Sequence, residues 1–428
     1  MSRALSALLF VLGVLLVFPG HASAQEEEGE EPAAPAFSGV LLNGEDPVEG
    51  ATIDVRGSDG DFTGSVVTEV DGSWRVELPP RGGVYEVELD LTTLPEGVEL
   101  SNAASAIASP RISQPGQQRV VNFLLGSGLT GGTSNADQFA QALVNGLKFG
   151  LIIAMSSIGL SLIFGTTGLI NFAHGELVTF GAALAWWLNT QTIEATLILA
   201  TVIAVIGGAA LGGVAELGLM RPLRRRKLGA FQFVVVTIGC SLVGRQLIQI
   251  WIGEGNESYR QYQIQKPWDI GPFDLTPRDA SIIGVSLVVL IGVATVLQLT
   301  RMGKAMRAVS DNADLASSSG IAVNRVILSV WVSGSALAAL GGVLFGLSEV
   351  VEFDMGFRFL LLIFSAVVLG GLGTAYGAMA GGVVIGLVTE VSTVWVRPDL
   401  KFVWALLVLI IVLLVRPQGI LGSKERVG

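Results

Sequence analysis

The chain has 428 residues, 51% of them hydrophobic and only 14% charged, and several apolar runs reach the roughly 20 residues that cross a bilayer, which is the composition of a polytopic membrane protein. The net charge of −10 implies no nucleic-acid partner, because acidic residues crowd into the first third while the remainder is closer to balance. One cysteine, Cys240 within an apolar run, excludes a disulfide framework, argues against redox chemistry and reads as a buried small hydrophobe.

Residues 1–24 have the layout of a secretory signal peptide: Arg3, an apolar run over 4–18 that is short for a full span, and Ala22-Ser23-Ala24 ahead of a glutamate block. Cleavage after Ala24 would place the new N-terminus outside. Residues 25–36 are acidic, carry proline and lack an apolar period, so they read as a solvated linker. Short alternating runs then recur over 37–125, SGVLL, ATIDVRG, GSVVTEV, SWRVELP, VYEVEL and RVVNFLL, divided by turn pairs such as Asn43-Gly44, Asp59-Gly60 and Asp71-Gly72. Strands of this kind suit a small β-sandwich. Residues 39–89 resemble the carboxypeptidase-regulatory-like, transthyretin-related modules through Pro47-Val48-Glu49-Gly50-Ala51-Thr52-Ile53, Asp71-Gly72-Ser73-Trp74 and Leu78-Pro79-Pro80-Arg81-Gly82-Gly83-Val84-Tyr85. With no histidine and no metal-ligand spacing over 37–126, an accessory extracytoplasmic domain is expected there.

A Gly, Ser and Thr-rich tether, 126–137, leads to a membrane part over 138–422 and a tail over 423–428. Apolar segments at 139–164, 170–188, 193–220, 228–252, 280–299, 326–347, 359–372, 378–396 and 402–415 predict about nine transmembrane helices, some of which are open to a re-entrant reading. Arg221, Arg224, Arg225, Arg226 and Lys227 come after the third segment. Arg301, Lys304, Arg307 and Arg325 flank the connection from the fifth to the sixth, and Arg416, Lys424 and Arg426 lie at the end. If the sandwich is outside, an odd span count retains all three clusters and the C-terminus in the cytoplasm, so charge and signal peptide agree. The loop 253–278 is then external.

Between the first two apolar segments, Gly165-Thr166-Thr167-Gly168 opens a break, and Asn171, Phe172, His174, Gly175 and Glu176 come directly after it. A carboxylate and an imidazole at membrane depth are costly to desolvate, and two readings stand. His174 and Glu176 line or gate a substrate path, with a glycine-broken helix presenting free amides to a zwitterion, or they satisfy neighbouring backbone groups in a structural hinge.

Farther along, Asp311 or Asn312 can cap a short helix over 313–319, and Gly320 can end it in the left-handed conformation; the alternative is a polar surface loop. Gly370, Gly371, Gly373, Gly377, Gly381 and Gly382 read as close helix packing. Glu216 and Glu390 either pair with Arg245 or line a cavity, pairing being the commoner outcome. Trp186, Trp187 and Trp404 read as interfacial or packing aromatics. Walker A, GxxxxGK[ST], is absent from the sequence, so this chain cannot cradle nucleotide phosphates by that device.

Three stretches now carry a resemblance. GLSLIFGTTGLINFAHGELVTFGA (159–182), VVLGGLGTAYGAMAGGVVIGLVTE (367–390) and LLVRPQGILG (413–422) resemble the permeases of branched-chain amino acid ABC importers, a family with urea and short-chain amide homologues, over nearly all of 138–422. The resemblance implies an all-α polytopic ABC importer permease fold in a bacterial plasma membrane, behind the extracytoplasmic β-sandwich. It implies a non-enzymatic subunit that translocates branched-chain or related amino acids by alternating access, with no metal and no cofactor of its own. Two cytoplasmic ATPase subunits using ATP and Mg, a second homologous permease and an extracytoplasmic solute-binding protein are the implied partners. Ala313-Asp314-Leu315-Ala316, with Gly320 beyond it, resembles the family's ATPase-contacting loop, and Asp311 stands just ahead of it. A urea or short-chain amide permease is the alternative; an ion-coupled secondary transporter using Glu176, His174 or Glu390, or an envelope sensor or scaffold, are others.

Overall fold

A computed structural model of the chain describes residues 35–43, 46–57, 60, 62–79, 83–95, 98, 106–108, 111–112, 118–121, 123–125, 135–192, 195–226, 228–253, 255–262, 265, 267–271, 273–395, 400–415 and 419–420. The expected signal peptide, nearly all of both linkers, Lys227, Arg416 and the tail with Lys424 and Arg426 lie outside the described residues, as do Gly44 and Asp59 of two expected turns. The described residues divide into two compact units, 35–125 and 135–420.

The first unit is built of short strands: β1 (Ala36–Val40), β2 (Leu42–Asn43), β3 (Asp46–Pro47), β4 (Thr52–Gly57), β5 (Thr63–Val67), β6 (Ser73–Glu77), β7 (Gly83–Leu89), β8 (Ile107–Ala108), β9 (Arg111–Ile112), β10 (Gln118–Val120) and β11 (Leu124–Leu125). One sheet runs β10-β1-β6, a second β5-β4-β7-β8 with β9 also on β7, and a third β11-β2-β3. Alternation turns Ile53 and Val55 of β4, Trp74 and Val76 of β6, and Tyr85, Val87 and Leu89 of β7 inward, where they meet Phe37 and Leu41 in one core. Asp71-Gly72 makes its turn as expected, with Gly72 at φ +74° and the Asp71 carboxylate accepting from Ser73 N at 2.9 Å. Hydrogen bonds from the Ser73 side chain and then its backbone hold the Asp71 carboxyl below its ordinary range, and those from the Thr92 side chain and backbone do the same for Asp90.

Helices make the second unit: α1 (Asn135–Thr167), α2 (His174–Trp187), α3 (Leu197–Ala215), α4 (Arg221–Arg225), α5 (Ala230–Ile252), α6 (Pro277–Leu299), α7 (Arg301–Asp311), α8 (Ala313–Ser318), α9 (Val323–Ser348), α10 (Met355–Gly370), α11 (Ala375–Val391) and α12 (Lys401–Val415). A π-helical turn, Glu216–Met220, continues α3 into α4. Among the described residues, six helices are long and apolar enough to cross a membrane: Ala136–Thr167, Leu197–Arg225, Ala230–Ile252, Pro277–Leu299, Val323–Ser348 and Ala375–Val394. Each of the nine expected segments holds a helix, but α2, α10 and α12 have only 14, 16 and 15 residues. At 1.5 Å per residue these fall short of the roughly 30 Å hydrocarbon layer unless flanking turns or neighbours complete the crossing.

Backbone contact between small residues assembles the centre of this unit. An ideal Cβ on Gly159 of α1 would sit 2.5 Å from Gly334 O of α9, and one on Gly150 would sit 2.8 Å from Val383 Cα of α11. Of the expected packing glycines, Gly370, Gly377 and Gly381 bring α10 against α11, and Gly382 brings α11 against Ala154 of α1. Gly371 and Gly373 differ in role: at φ +109° and +80° they form the turn between α10 and α11, a conformation that a side chain would strain. The expected burial of Cys240 is corrected, since the thiol-bearing residue is only half-buried. The loop after α5 is anchored by the bridge between Glu257 and Val351 and by Tyr259, buried with its hydroxyl 3.3 Å from Ala182 O.

Candidate functional site

The break after α1 is shorter than its glycines suggest. α1 continues through Gly165 to Thr167 and stops where Gly168, at φ +67°, donates its N–H to Phe164 O at 2.7 Å. Gly165 is therefore a contact glycine: an added Cβ would lie 2.9 Å from Gly373 O and 3.0 Å from Ser310 Oγ. Gly175 is likewise helical, and a Cβ there would lie 2.5 Å from Gly356 O at the start of α10.

Within the break, the buried Asn171 organises the backbone. Its Oδ1 accepts from Ala173 N at 3.1 Å and its carbonyl accepts from His174 N at 3.3 Å, while Ala173 O accepts from Glu176 N at 3.2 Å. The expectation of free amides facing a ligand is corrected at those three positions, because the segment satisfies them itself. Phe172 lies against Phe364 of α10 with ring centroids 5.0 Å apart. His174 is fully buried, with Nε2 3.0 Å from Ser156 O on α1. A carbonyl only accepts, so the imidazole proton sits on Nε2, and Nδ1 is left with a buried lone pair and no partner among the described residues.

Glu176, 7% exposed, points from the first turn of α2 toward α5, where Ser241 Oγ donates to Oε1 at 2.8 Å. Its Oε2 is buried with no hydrogen-bond partner among the described residues. Arg245, one helical turn beyond Ser241, lies with Cζ 4.7 Å from the centroid of the Phe357 ring. Thr237 of the same helix face reaches back to Ile170 O at 3.4 Å. Sequence reasoning does not single out Ser241 or Phe357; the signal available is Ser241 and Arg245 at i, i+4 in an otherwise apolar helix, which puts both on one face. Glu216 does not pair with Arg245. It is held by Arg224, with Nη1 2.8 Å from Oε2 and Nη2 on Oε1, a two-point ion pair folded across the π turn. Trp186 is buried, Trp187 lies 5.9 Å from Trp251 by ring centroid, and Trp404 is exposed.

The second candidate site is the α7–α8 segment. Thr300 ends α6 and caps α7 through Gly303 N at 3.0 Å, which makes a tight corner. α7 buries Met306 and Val309 and ends at Asp311, so Asn312 rather than Asp311 caps α8, accepting from Leu315 N at 2.9 Å. At the other end Gly320, φ +84°, donates to Ser317 O and Ile321 donates to Ala316 O, each at 3.0 Å, the paired bonds of a Schellman motif. Ala316 faces inward, Ala313 is partly buried, and Asp314 and Leu315 face out, Leu315 at 65% exposure. Ser310 of α7 lies against Gly165 and so links this segment to the last turn of α1, which Gly373 also meets at Gly165. Among the described residues no cluster of three His, Cys, Asp or Glu is placed to hold a metal ion.

A family model described as a branched-chain amino acid transport system permease component matches residues 142–414. The high-affinity branched-chain amino acid transport system permease protein LivH of Salmonella typhimurium is 31% identical over 300 residues, covering 67% of this chain and 96% of that protein. BraD of Pseudomonas aeruginosa, a permease protein of the same description, is 30% identical over 302 residues, 67% of this chain and 97% of that one. A probable branched-chain amino acid transport permease protein of Methanocaldococcus jannaschii is 27% identical over 288 residues, 63% of this chain and 89% of its own.

Proposed function

The chain belongs to the branched-chain amino acid transport permease family, and on that footing we propose that it is the membrane subunit of an ATP-driven importer of branched-chain amino acids. The observation that carries this reading is coverage: the match over 142–414 takes in the break, the α7–α8 segment and the glycine turn after α10, and nearly the whole length of each of two relatives is aligned. In this reading nine segments cross the plasma membrane, the β-unit comes after a signal peptide and lies outside, and the C-terminus is cytoplasmic. Partners are two ATPase subunits, a second permease and a solute-binding protein that delivers the amino acid. ATP and Mg are used by the ATPases.

The geometry supplies a route for coupling. α8 is closed at one end by the Asn312 side chain and at the other by the Gly320 turn, so a partner pressing on Asp314 and Leu315 moves it as a body together with α7. Ser310 then bears on Gly165, which also meets the Gly373 turn and stands just before the Gly168 swivel that leads into α2. Alternating access is the expected output, with α2 and its buried His174 and Glu176 shifting against α5 and α10. The bidentate hold of Arg224 on Glu216 stiffens the other inner-face connection.

The test is ATP-dependent uptake of L-leucine by vesicles holding the complex with its ATPases and binding protein, with urea and acetamide as competing solutes. Gly320→Val or Asp314→Lys should abolish substrate-stimulated ATP hydrolysis while the protein still inserts; unchanged hydrolysis removes the coupling role. Deleting residues 37–126 should leave uptake measurable, as an accessory domain requires.

A further inference from the structure

The surroundings of Glu176 contain an opposite charge that the protein does not bring into contact. One carboxylate oxygen is held by Ser241, and the other is buried and unpartnered among the described residues. Arg245 lies one helical turn beyond Ser241 on α5, and Asp354 stands just ahead of α10. Asp354 is already engaged: Arg358 donates to both of its oxygens, at 2.5 and 3.1 Å, and also pairs with Glu352. Arg245 forms no ion pair among the described residues and instead lies against the half-exposed Phe357 ring. Two charges on neighbouring elements thus stand apart, one anchored by a hydroxyl and one by an aromatic face, in a setting where direct contact would be strongly favourable. Gly244, next to Arg245 in the chain, brings α5 close to Glu176: a Cβ there would come to 3.5 Å from Glu176 Cγ, an ordinary contact distance.

An α-amino acid carries an ammonium and a carboxylate on one carbon, which is the complement of such a split pair. We infer that Glu176 and Arg245 form a two-point cradle for the zwitterionic head of the transported amino acid, Glu176 Oε2 accepting from the ammonium and the Arg245 guanidinium donating to the carboxylate. The Ser241 bond aims the carboxylate, and the Phe357 ring holds the guanidinium. Neutral urea or a short amide offers neither charge. The inference rests on the importer reading and names the recognition groups within it.

The experiment measures binding of radiolabelled L-leucine to the complete wild-type complex in nanodiscs, without the solute-binding protein, in competition with 3-methylbutylamine and 4-methylpentanoate, which each keep one of leucine's two charges. Each analogue should compete at least about tenfold more weakly than leucine, because a buried charged group is then left unpaired. Glu176→Gln should weaken the amine and spare the acid, Arg245→Leu should do the reverse, and Arg245→Lys should recover part of the acid's binding. Analogues as strong as leucine, variants that weaken both analogues alike, or no leucine binding by the wild type would overturn the cradle. Failure of the importer reading is separate: it appears as no ATP-driven uptake of any solute by the wild type, whereas urea uptake without leucine binding leaves the importer and removes the cradle.

Discussion

α1 and α5 are both apolar enough to span a bilayer, yet 78% of the membrane-length window of α1 is buried by neighbouring protein and only 22% of that of α5. The difference lies in how each is fastened. α1 meets α9 and α11 through Gly146, Gly150 and Gly159, where backbone touches backbone over long stretches. α5 and α6 present Gly239, Gly284 and Gly292 to open space and are joined to the rest by separate buried side chains such as Phe233, Ile248 and Ile282 and at polar points: Ser241 on Glu176, Thr237 on Ile170, and Lys148 of α1 on Asp279 of α6 at 3.0 Å. A continuous seam resists sliding, whereas a clasp allows a helix to pivot around it. The candidate substrate groups lie at the boundary between the two kinds of fastening.

Losing the buried ion pair at the end of α3 has the largest expected effect. Arg224→Leu leaves the Glu216 charge enclosed without a partner and should cost about 3–5 kcal/mol, read as a lowered midpoint in thermal unfolding of the detergent-solubilised protein; the double change with Glu216→Leu should restore most of it. Next comes the seam. Gly150→Leu should destabilise by about 1–3 kcal/mol or more through backbone collision, while Gly239→Leu on α5 should stay within about 0.5 kcal/mol. Equal effects at the two glycines would erase the distinction drawn between these helices. Lys148→Met tests a clasp directly: a loss of about 1.5–3 kcal/mol is expected, with faster hydrogen exchange in α6 and none in α9. Thr300→Ala should cost about 1 kcal/mol and raise exchange in the first turn of α7. In the β-unit, the lowered Asp71 and Asp90 carboxyls add stability above the ordinary carboxylate range that is lost as pH falls through their folded values. Protease resistance of that unit should therefore drop on acidification, and less steeply in Asp71→Asn.

Local signals in the sequence tell most where structure is made locally. Alternation locates β1, β4, β6 and β7, and Asn312 and Gly320 mark both ends of α8, because a cap and a left-handed residue act within one turn. The weak strands β8 and β9 leave no such trace, since two residues carry no period. Partner choice is also illegible. Glu216 sits 8 residues from Arg224 and 65 residues separate Glu176 from Ser241, and nothing in an apolar helix says which side meets protein, as lipid tails are as apolar as leucine. Gly165 and Gly168 look equivalent as letters; only the packing of Ser310 and Gly373 makes one a contact and the other a swivel.

Ile420 N donates to Leu369 O at 2.7 Å, and a Cβ on Gly419 would come within 2.7 Å of Gly371 N, so residues near the end of the sequence cover the α10–α11 turn. During synthesis that turn, with the Gly373 carbonyl against Gly165, stays uncovered until position 420 has cleared the ribosome. The α10–α11 turn is thus completed only after α12 has been made.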